Sequence, residues 1–267
     1  MHANLGVPSF RELAVLPLVL LVAGSLAVHP VRAQSRHIEL KDLVKIVSVS
    51  DPQVSPDGKS IVVVVSRPNL EQDRGERELV LVDIVTGEQH ALTYERKTAG
   101  SPRWSPNGDR LAFVSNDGAG KDAKPQIFVL RMSGGEAKKI SDAPNGIEQF
   151  AWRPNGQDIA YVTSDESPNK KEIEKHNDAF EVGDNDYLAT EAALASHLWL
   201  IPADGGKAKR LTSGTWSLPK SAPPGPPASQ ISWSPDGNLL SFTRQEHPHQ
   251  GDNDARDNHW HEVHAPQ

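Results

Sequence analysis

The sequence of 267 residues contains no cysteine, which excludes disulfides, thiolate metal sites and a cysteine nucleophile. It also lacks an excess of basic residues, because 28 Lys and Arg are outnumbered by 35 Asp and Glu. Nucleic-acid binding needs a basic surface, so the net charge of −7 argues against a nucleic-acid partner. Aromatic residues are scarce at 6%, and a tryptophan that recurs at a regular spacing is therefore informative.

Long apolar runs are absent except near the N-terminus, where one extends from Leu13 to Val28. Arg11 precedes this run, and VRA at 31–33 follows it with residues typical of a cleavage site. The run is shorter than the ~20 residues that span a membrane, which favours a signal peptide over the alternative of a membrane anchor. We therefore expect a signal peptide at residues 1–33. The mature protein is expected to be exported, periplasmic or extracellular, without a membrane segment.

One short motif occurs four times, as VSPDG at 54–58, WSPNG at 104–108, WRPNG at 152–156 and WSPDG at 233–237. Proline followed by Asp or Asn and then Gly is typical of a tight turn. The motifs recur at about 50 residues, a period typical of repeat architectures. The last interval is longer because an insertion interrupts the third unit at 164–195.

Each motif is followed by short apolar segments that alternate with polar turns. In the first unit these are KSIVVVVS at 59–66, ELVLVDI at 78–84 and a short segment that ends in HALT at 90–93. Four short strands per unit, joined by hairpins, are typical of a β-propeller blade. We predict an all-β fold, a β-propeller of four-stranded antiparallel blades with TolB/WD-like repeats. It is incomplete, with about three and a half blades over residues 36–244, because the fourth unit stops after its second strand.

Tryptophan recurs at the first position of three motifs, as Trp104, Trp152 and Trp233. This position in a repeat predicts packing between neighbouring blades, and an aromatic ligand-binding set is the alternative. Ahead of the first blade, apolar residues at helical spacing in 36–50 predict a short amphipathic helix.

The insertion at 164–195 is strongly acidic, and its segment DNDY resembles only part of a calcium loop. We predict no metal and no cofactor there. An excursion at the edge of a propeller can line the entrance to the central channel. Glu181, Asp184 and Asp186 are therefore candidates for contacting or steering a substrate. A proline-rich segment at 217–229 is expected to be an extended connector.

The C-terminal segment 245–267 departs from the repeat pattern and is rich in histidine. Histidines at such spacing can chelate a metal, but no strand or helical face is expected to orient them. The favoured interpretation is a disordered tail, foreign to the fold, as a frameshift would produce. The histidines concerned are His247, His249, His259, His261 and His264.

Four segments carry a family resemblance: DLVKIVSVSDPQVSPDGKSIVVVVS, SPRWSPNGDRLAFVS, DAFEVGDNDYLAT and SHLWLIPADGGKAKRLTSGTWSLP. They resemble the N-terminal β-propeller of secreted bacterial serine peptidases of the prolyl oligopeptidase family. The most similar groups are the dipeptidyl-aminopeptidase-like and acylaminoacyl-peptidase-like members. The resemblance implies a propeller that admits short peptides and excludes folded proteins. It also implies a separate α/β-hydrolase domain with a Ser-Asp-His triad.

The nucleophile motif Gly-x-Ser-x-Gly is absent from the sequence. Ser133 and Ser213 precede glycines but fall at expected hairpin or loop positions, so no catalytic residue is assigned. We interpret the sequence as this propeller, truncated before the catalytic domain and inactive alone. The alternative is a TolB-like periplasmic propeller that acts as a protein-binding module. In either case, open sheet edges favour self-association.

Overall fold

A computed structural model describes residues 39–43, 45–71, 74–94, 98–116, 123–177, 179, 194–219, 230–246 and 259–266. The chain divides into two units, Met1–Glu39 and Leu40–Gln267, and the fold below belongs to the second. The expected signal peptide lies outside the described residues. Within the described part of the chain, every helix is too short or too polar to cross a bilayer.

The described strands form four antiparallel sheets, one after another along the chain. The first three sheets have four strands and the fourth has three, and in each sheet the strands follow chain order. This arrangement confirms the predicted all-β fold, an open propeller of four-stranded blades. We number the sheets as blades 1 to 4.

Two short helices and fifteen strands make up the described elements. Blade 1 follows α1 (Leu40–Leu43) and contains β1 (Ser48–Val54), β2 (Ser60–Asn69), β3 (Arg74–Asp83) and β4 (Gln89–Ala91). Blade 2 contains β5 (Gly100–Trp104), β6 (Arg110–Ser115), β7 (Gln126–Arg131) and β8 (Lys138–Lys139). Blade 3 contains β9 (Gln149–Trp152), β10 (Asp158–Ser164), β11 (Ser196–Pro202) and β12 (Lys209–Arg210), with α2 (Lys170–Ile173) between β10 and β11. Blade 4 contains β13 (Ser232–Trp233), β14 (Leu239–Arg244) and β15 (His259–His264).

The repeated motif forms the same turn between the first and second strands of every blade. The N–H of its glycine donates to the carbonyl three residues earlier, at 2.9 Å in all four blades. In blade 1 the Ser55 hydroxyl accepts from the Ser60 N–H at 3.0 Å and donates to Asp57 at 2.6 Å. The Ser55 hydroxyl holds the pKa of Asp57 below its usual range. The glycine φ of 71° in blade 1 lies in the left-handed region, where a side chain would be strained.

Successive turns also touch one another. Without a side chain, each turn glycine can approach the proline ring of the preceding turn. The pairs are Gly108 on Pro56, Gly156 on Pro106 and Gly237 on Pro154, where an added Cβ would lie 3.3, 3.7 and 3.4 Å from the nearest proline atom. The motif recurs because it both closes a blade's first hairpin and packs that blade against its predecessor.

The motif tryptophans join neighbouring blades, as predicted. Each indole N–H donates to a backbone carbonyl in the first strand of the preceding blade. The bonds run from Trp104 to Gln53 at 3.1 Å, from Trp152 to Arg103 at 2.9 Å and from Trp233 to Ala151 at 3.3 Å. In each case the accepting carbonyl belongs to the residue directly before the preceding blade's motif. The same contact is therefore repeated at three junctions. The alternative of an aromatic ligand-binding set is therefore not needed to explain these residues.

Three apolar cores lie between consecutive blades. We call the face of a blade toward its predecessor the front and the other face the back. Between blades 1 and 2 the core includes Val62, Val64 and Leu79 against Leu111, Phe113 and Phe128. Between blades 2 and 3 it includes Ala112, Ile127 and Val129 against Ile159, Tyr161 and Ile201. Between blades 3 and 4 it includes Ala160, Val162 and Leu198 against Leu240, Phe242 and Val263.

Two sequence expectations are corrected. The predicted helix in 36–50 is a single turn that ends at Leu43, and Val47 is exposed beyond it. The tail predicted to be disordered contains strand β15 at 259–264, which pairs with all six residues of β14. Alternation explains this strand, because His261 and Val263 face the blade 3–4 core on one side of the sheet. The fourth blade therefore has three strands rather than two.

Candidate functional site

The two ends of the blades differ in the length of their connections. The Pro-Asp/Asn-Gly turns and the short turns after each third strand lie at one end, which we call the turn face. The connections from second to third strand lie at the other end, the loop face, because antiparallel strands reverse direction. Those connections include the insertion between β10 and β11 and the long link between β14 and β15. The loop face is the variable end and therefore the candidate functional surface.

The first strands β1, β5 and β9 lie beside one another at the centre of the fan of blades. An ion pair joins two of them, since Arg103 Nη1 lies 3.0 Å from both carboxylate oxygens of Asp51. Asp51 and Ser101 have φ values of 47° and 51°, unusual for residues other than glycine, and each sits at a register shift in its strand. Such bulges re-aim side chains next to sites. The inner strands thus carry a pair of opposite charges where β1 meets β5.

The insertion leaves and rejoins blade 3 on the loop face. Its base is closed by a hydrogen bond from the Asp165 N–H to the Ala195 carbonyl, at 2.8 Å. Helix α2 within it has no buried residue. Glu181, Asp184 and Asp186 lie outside the described residues, so the structure fixes where the insertion begins and ends on the loop face.

A buried histidine lies directly beneath this base. His197 on β11 has no exposed side-chain surface. Its Nδ1 lies 3.3 Å from Thr212 Oγ1, and its Nε2 lies 3.3 Å from the Gly214 carbonyl. Thr212 Oγ1 accepts from the Leu198 N–H at 2.9 Å, which leaves its hydroxyl proton for Nδ1. The neutral tautomer with hydrogen on Nε2 satisfies all of these bonds.

The charge state of His197 follows from its surroundings. Burial lowers the pKa of His197 below its ordinary value of 6.5, against the opposing effect of the nearby Asp165 carboxylate. Asp165 Oδ2 lies 3.6 Å from Nε2 but is bound more closely by Arg210 Nη2, at 2.8 Å. The ring of Trp216 meets His197 edge-on at 4.9 Å. Neutral His197 is therefore the form that the folded chain favours.

Thr212, His197 and Asp165 superficially resemble a hydroxyl–imidazole–carboxylate triad. Thr212 is only 9% exposed, and the His197 imidazole is fully buried against Trp216. A nucleophile must reach the substrate, and this hydroxyl instead completes backbone bonding between β11 and the segment after β12. The cluster is a structural anchor for the insertion. Within the described residues, no group of three or more His, Asp or Glu side chains could hold a metal.

Arginines stacked on tryptophan rings were not anticipated from the sequence. Arg210 lies over Trp199 at 5.7 Å, and Arg244 lies over Trp216 at 5.3 Å, both near the base of the insertion. Arg153 lies over Trp233 at 5.4 Å and donates to the Gly237 carbonyl at 2.8 Å. Arg153 occupies the motif position that is serine in the other three blades. This departure from the repeat could have indicated a special contact at that position.

Comparison with known proteins identifies the class and then the family. The protein is a β-propeller, and its similarity to solved propellers supports this. An acylaminoacyl peptidase from Pyrococcus horikoshii is 19% identical, with a TM-score of 0.56, over 76% of this chain and 28% of that one. The β-propeller domain of the Trilobed protease from Pyrococcus furiosus, with an open velcro topology, is 18% identical, with a TM-score of 0.51, over 84% and 56%.

The chain belongs to the TolB beta propeller domain family, which matches residues 25–193. An uncharacterized peptidase from Bacillus subtilis, YuxL, is 34% identical over 216 residues, 77% of this chain and 31% of that protein. Dipeptidyl-peptidase 5 from Porphyromonas endodontalis is 26% identical over 52% of this chain and 19% of its own length. The Tol-Pal system protein TolB of Anaeromyxobacter dehalogenans is 26% identical over 54% and 26%. The expected similarity to peptidase propellers is confirmed, and the chain spans less than a third of these relatives.

Proposed function

We propose that this chain is the substrate-gating propeller of an exported serine peptidase that cleaves short peptides. The observation that carries the proposal is the 34% identity with the Bacillus peptidase over 216 residues. A propeller encloses a central channel lined by its inner strands. A channel of this kind admits an extended peptide and excludes a folded domain, and the pair of opposite charges formed by Asp51 and Arg103 suits a peptide.

A chimera tests the gating role. The matched segment of this chain replaces the corresponding segment of the Bacillus peptidase, and hydrolysis of a short peptide nitroanilide is compared with hydrolysis of an unfolded protein. We expect the peptide to be cleaved and the protein to be excluded. The control is the same enzyme without any propeller segment. A chimera that degrades both substrates as readily as the control would contradict gating.

Export is the second part of the proposal. It is supported by Arg11, the apolar run from Leu13 to Val28 and the VRA segment at 31–33. In a bacterial host the exported chain is expected to begin at Gln34, as read by N-terminal sequencing. Leu20→Arg in the apolar run should keep the chain in the cytoplasm. Recovery of the full-length wild-type chain from the cytoplasm would overturn this part.

We propose that Glu181, Asp184 and Asp186 contact the substrate. The support is indirect: the base of their insertion lies on the loop face, beside the long connections of the other blades. In the chimera, E181Q/D184N/D186N should raise KM several-fold for cationic peptides and leave kcat unchanged, because binding contacts act before the chemical step. E172Q/E174Q near the exposed α2 is the matched control. Equal effects of both variants would count against specific contacts.

The second candidate function is a TolB-like protein-binding module. The family match over residues 25–193 favours it, since TolB proteins share this domain. It predicts that the isolated chain binds Tol-Pal system proteins of its own bacterium, measurable by calorimetry. The peptidase propeller predicts no such binding, and the chimera experiment then decides between the two.

We also propose that the chain self-associates through its end blades. Blades 1 and 4 each have one neighbouring blade in the described part of the chain, and several apolar side chains of blade 1 are exposed. Exposed apolar sheet surface is a common site of association.

A further inference from the structure

The first strands of the blades carry very few charges. In the described first strands, β1, β5, β9 and β13, the charged residues are Asp51 and Arg103 alone. Both lie at β-bulges, where Asp51 and Ser101 have φ values of 47° and 51°. This backbone conformation costs free energy for residues other than glycine, and such outliers are frequent at binding sites. The bulges therefore mark the inner strands of blades 1 and 2 as a candidate binding region.

The Arg103 side chain reaches the centre of the fan around the inner edge of β5. Its partner in the sheet, Ala112, belongs to the core on the back of blade 2, and paired residues share one face of a sheet. Asp51 lies in front of blade 2, yet both of its carboxylate oxygens are 3.0 Å from Arg103 Nη1. Because β6 pairs along the outer edge of β5, the side chain passes the inner edge. There it remains 41% exposed.

The two members of this ion pair differ in what they leave available. Both oxygens of Asp51 accept from Arg103 Nη1, and Oδ1 also accepts from Gln53 Nε2 at 2.8 Å. Arg103 Nη1 donates in addition to the Pro102 carbonyl at 2.7 Å. By contrast, Nε and Nη2 of Arg103 donate to no atom in the described part of the chain. These two nitrogens form the edge of a guanidinium that can bind a carboxylate through two parallel hydrogen bonds.

We infer that Nε and Nη2 of Arg103 bind a carboxylate of the peptide substrate at the centre of the fan. The carboxylate is the C-terminal group of the peptide or an Asp or Glu side chain, which present the same pair of oxygens. Asp51 neutralises part of the arginine charge, so the binding is weak and salt weakens it further. This inference rests on the proposed peptidase function and adds to it a residue that selects among peptides.

A chemical-shift titration of the purified chain by NMR measures carboxylate binding without any need for peptidase activity. The first probe is acetyl-Ala-Ala with a free C-terminus, and acetyl-Ala-Ala amide is its uncharged control. The second probe, acetyl-Asp-Ala amide, carries its carboxylate on a side chain. We expect a carboxylate probe to bind at millimolar concentrations, and the uncharged control to bind about tenfold more weakly. Whichever carboxylate probe binds more tightly identifies the source of the carboxylate in the substrate.

Three variants assign the binding to Arg103. Arg103→Gln should weaken binding of the carboxylate probe about tenfold, because it removes both the charge and the paired donors. Arg103→Lys keeps the charge without the paired donors and should recover only part of the affinity. Arg131→Gln removes a 71% exposed arginine on the turn face and should have no effect. Circular dichroism verifies that each variant is folded.

Two results would overturn the inference. One is equal affinity of the chain for the carboxylate probes and the uncharged control, including no binding of any of them. The other is unchanged carboxylate binding in a folded Arg103→Gln variant. Neither result alters the expected exclusion of an unfolded protein by the chimera, so carboxylate binding and gating can fail separately.

Discussion

At the scale of single residues, the indole nitrogen of each motif tryptophan links its blade to the preceding blade. Trp152 is almost fully buried and donates to the Arg103 carbonyl at 2.9 Å. The sequence predicted that the motif tryptophans pack between blades, because they recur at one repeat position. It could not predict the acceptor, because a carbonyl is common to every residue and only the register selects one.

The hydrogen bond of Trp152 gives a stability prediction. Trp152→Phe should lower the free energy of unfolding by about 1 kcal/mol more than Trp199→Phe, because it removes the indole hydrogen bond between blades 2 and 3. Trp199 is the matched control, since its buried Nε1 has no partner in the described structure. Urea unfolding monitored by circular dichroism measures both variants. Equal losses would show that ring volume, not the hydrogen bond, determines the cost.

Gly146 is a second position that requires one particular residue type, glycine. Its φ is 81°, and an added Cβ would lie 2.7 Å from Pro125 Cδ. Gly146→Ala should therefore destabilise the chain by about 2 kcal/mol more than Gly87→Ala, because it adds overpacking to backbone strain. Gly87 has φ 72° with no atom within 4 Å, so it isolates the strain alone. The midpoint of urea unfolding reports the difference, and equal midpoints would contradict it.

His197 predicts how stability depends on pH. Burial lowers its pKa in the folded state below 6.5, so the unfolded chain binds a proton more readily below that pH. Stability is therefore fully present above pH 6.5 and is lost as the pH falls below it, by up to about 1.4 kcal/mol per pH unit. His197→Gln should flatten this slope between pH 6.5 and 5, whereas His90→Gln, on an exposed strand, should retain it. Urea unfolding across this range is the measurement, and a slope unchanged in His197→Gln would refute the assignment.

At the scale of elements, the sequence predicted the turns that every blade repeats. It did not predict the side-chain contacts that differ from one blade to the next. The turns were predictable because Pro, Asp or Asn and Gly specify backbone angles locally. The cluster around His197 was not, because Asp165, Arg210 and Trp216 come from three segments that meet only in the folded blade. The insertion predicted at 164–195 lies between β10, which ends at Ser164, and β11, which begins at Ser196.

Strand β15 shows a different limit of prediction from the sequence. In 259–264, His259, His261 and Val263 alternate with Trp260, Glu262 and His264, but histidine is not a strong sign of burial. Its order comes from tertiary contacts: Phe242 contacts His261, and Arg153 donates to the Pro266 carbonyl at 3.1 Å. Pairing with β14 outweighs the weak local preference.

The insertion gives an element-scale prediction. Replacing residues 166–194 with a two-residue Asn-Gly turn should leave the fold intact, with unfolding free energy changed by less than about 1 kcal/mol. The reason is that Asp165 and Ala195 are already hydrogen-bonded at 2.8 Å, as at the end of a hairpin. Circular dichroism and urea unfolding measure the result. Loss of the β-sheet signal would show that the insertion supports blade 3.

At the scale of the whole molecule, a prediction concerns peptide hydrolysis by the purified chain. The purified chain should not hydrolyse peptide nitroanilides, because the sequence has no Gly-x-Ser-x-Gly nucleophile and Thr212 is enclosed. A serine-reactive phosphonate tests whether any hydrolysis depends on a serine nucleophile, and co-purification tests whether that hydrolysis belongs to this chain. Hydrolysis that the phosphonate abolishes, and that copurifies with the chain, would contradict the prediction.

The polarity of the blade junctions has a consequence for how such chains change by recombination. Every junction uses the same carbonyl, proline, indole and glycine at a period of about 50 residues, so a crossover between two first strands removes or adds one whole blade. The new neighbours meet through contacts that already exist. The long connections lie at the opposite end from the motif turns and can lengthen or exchange without disturbing those contacts. Blade number and binding surface can therefore vary separately in descendants of one ancestral repeat.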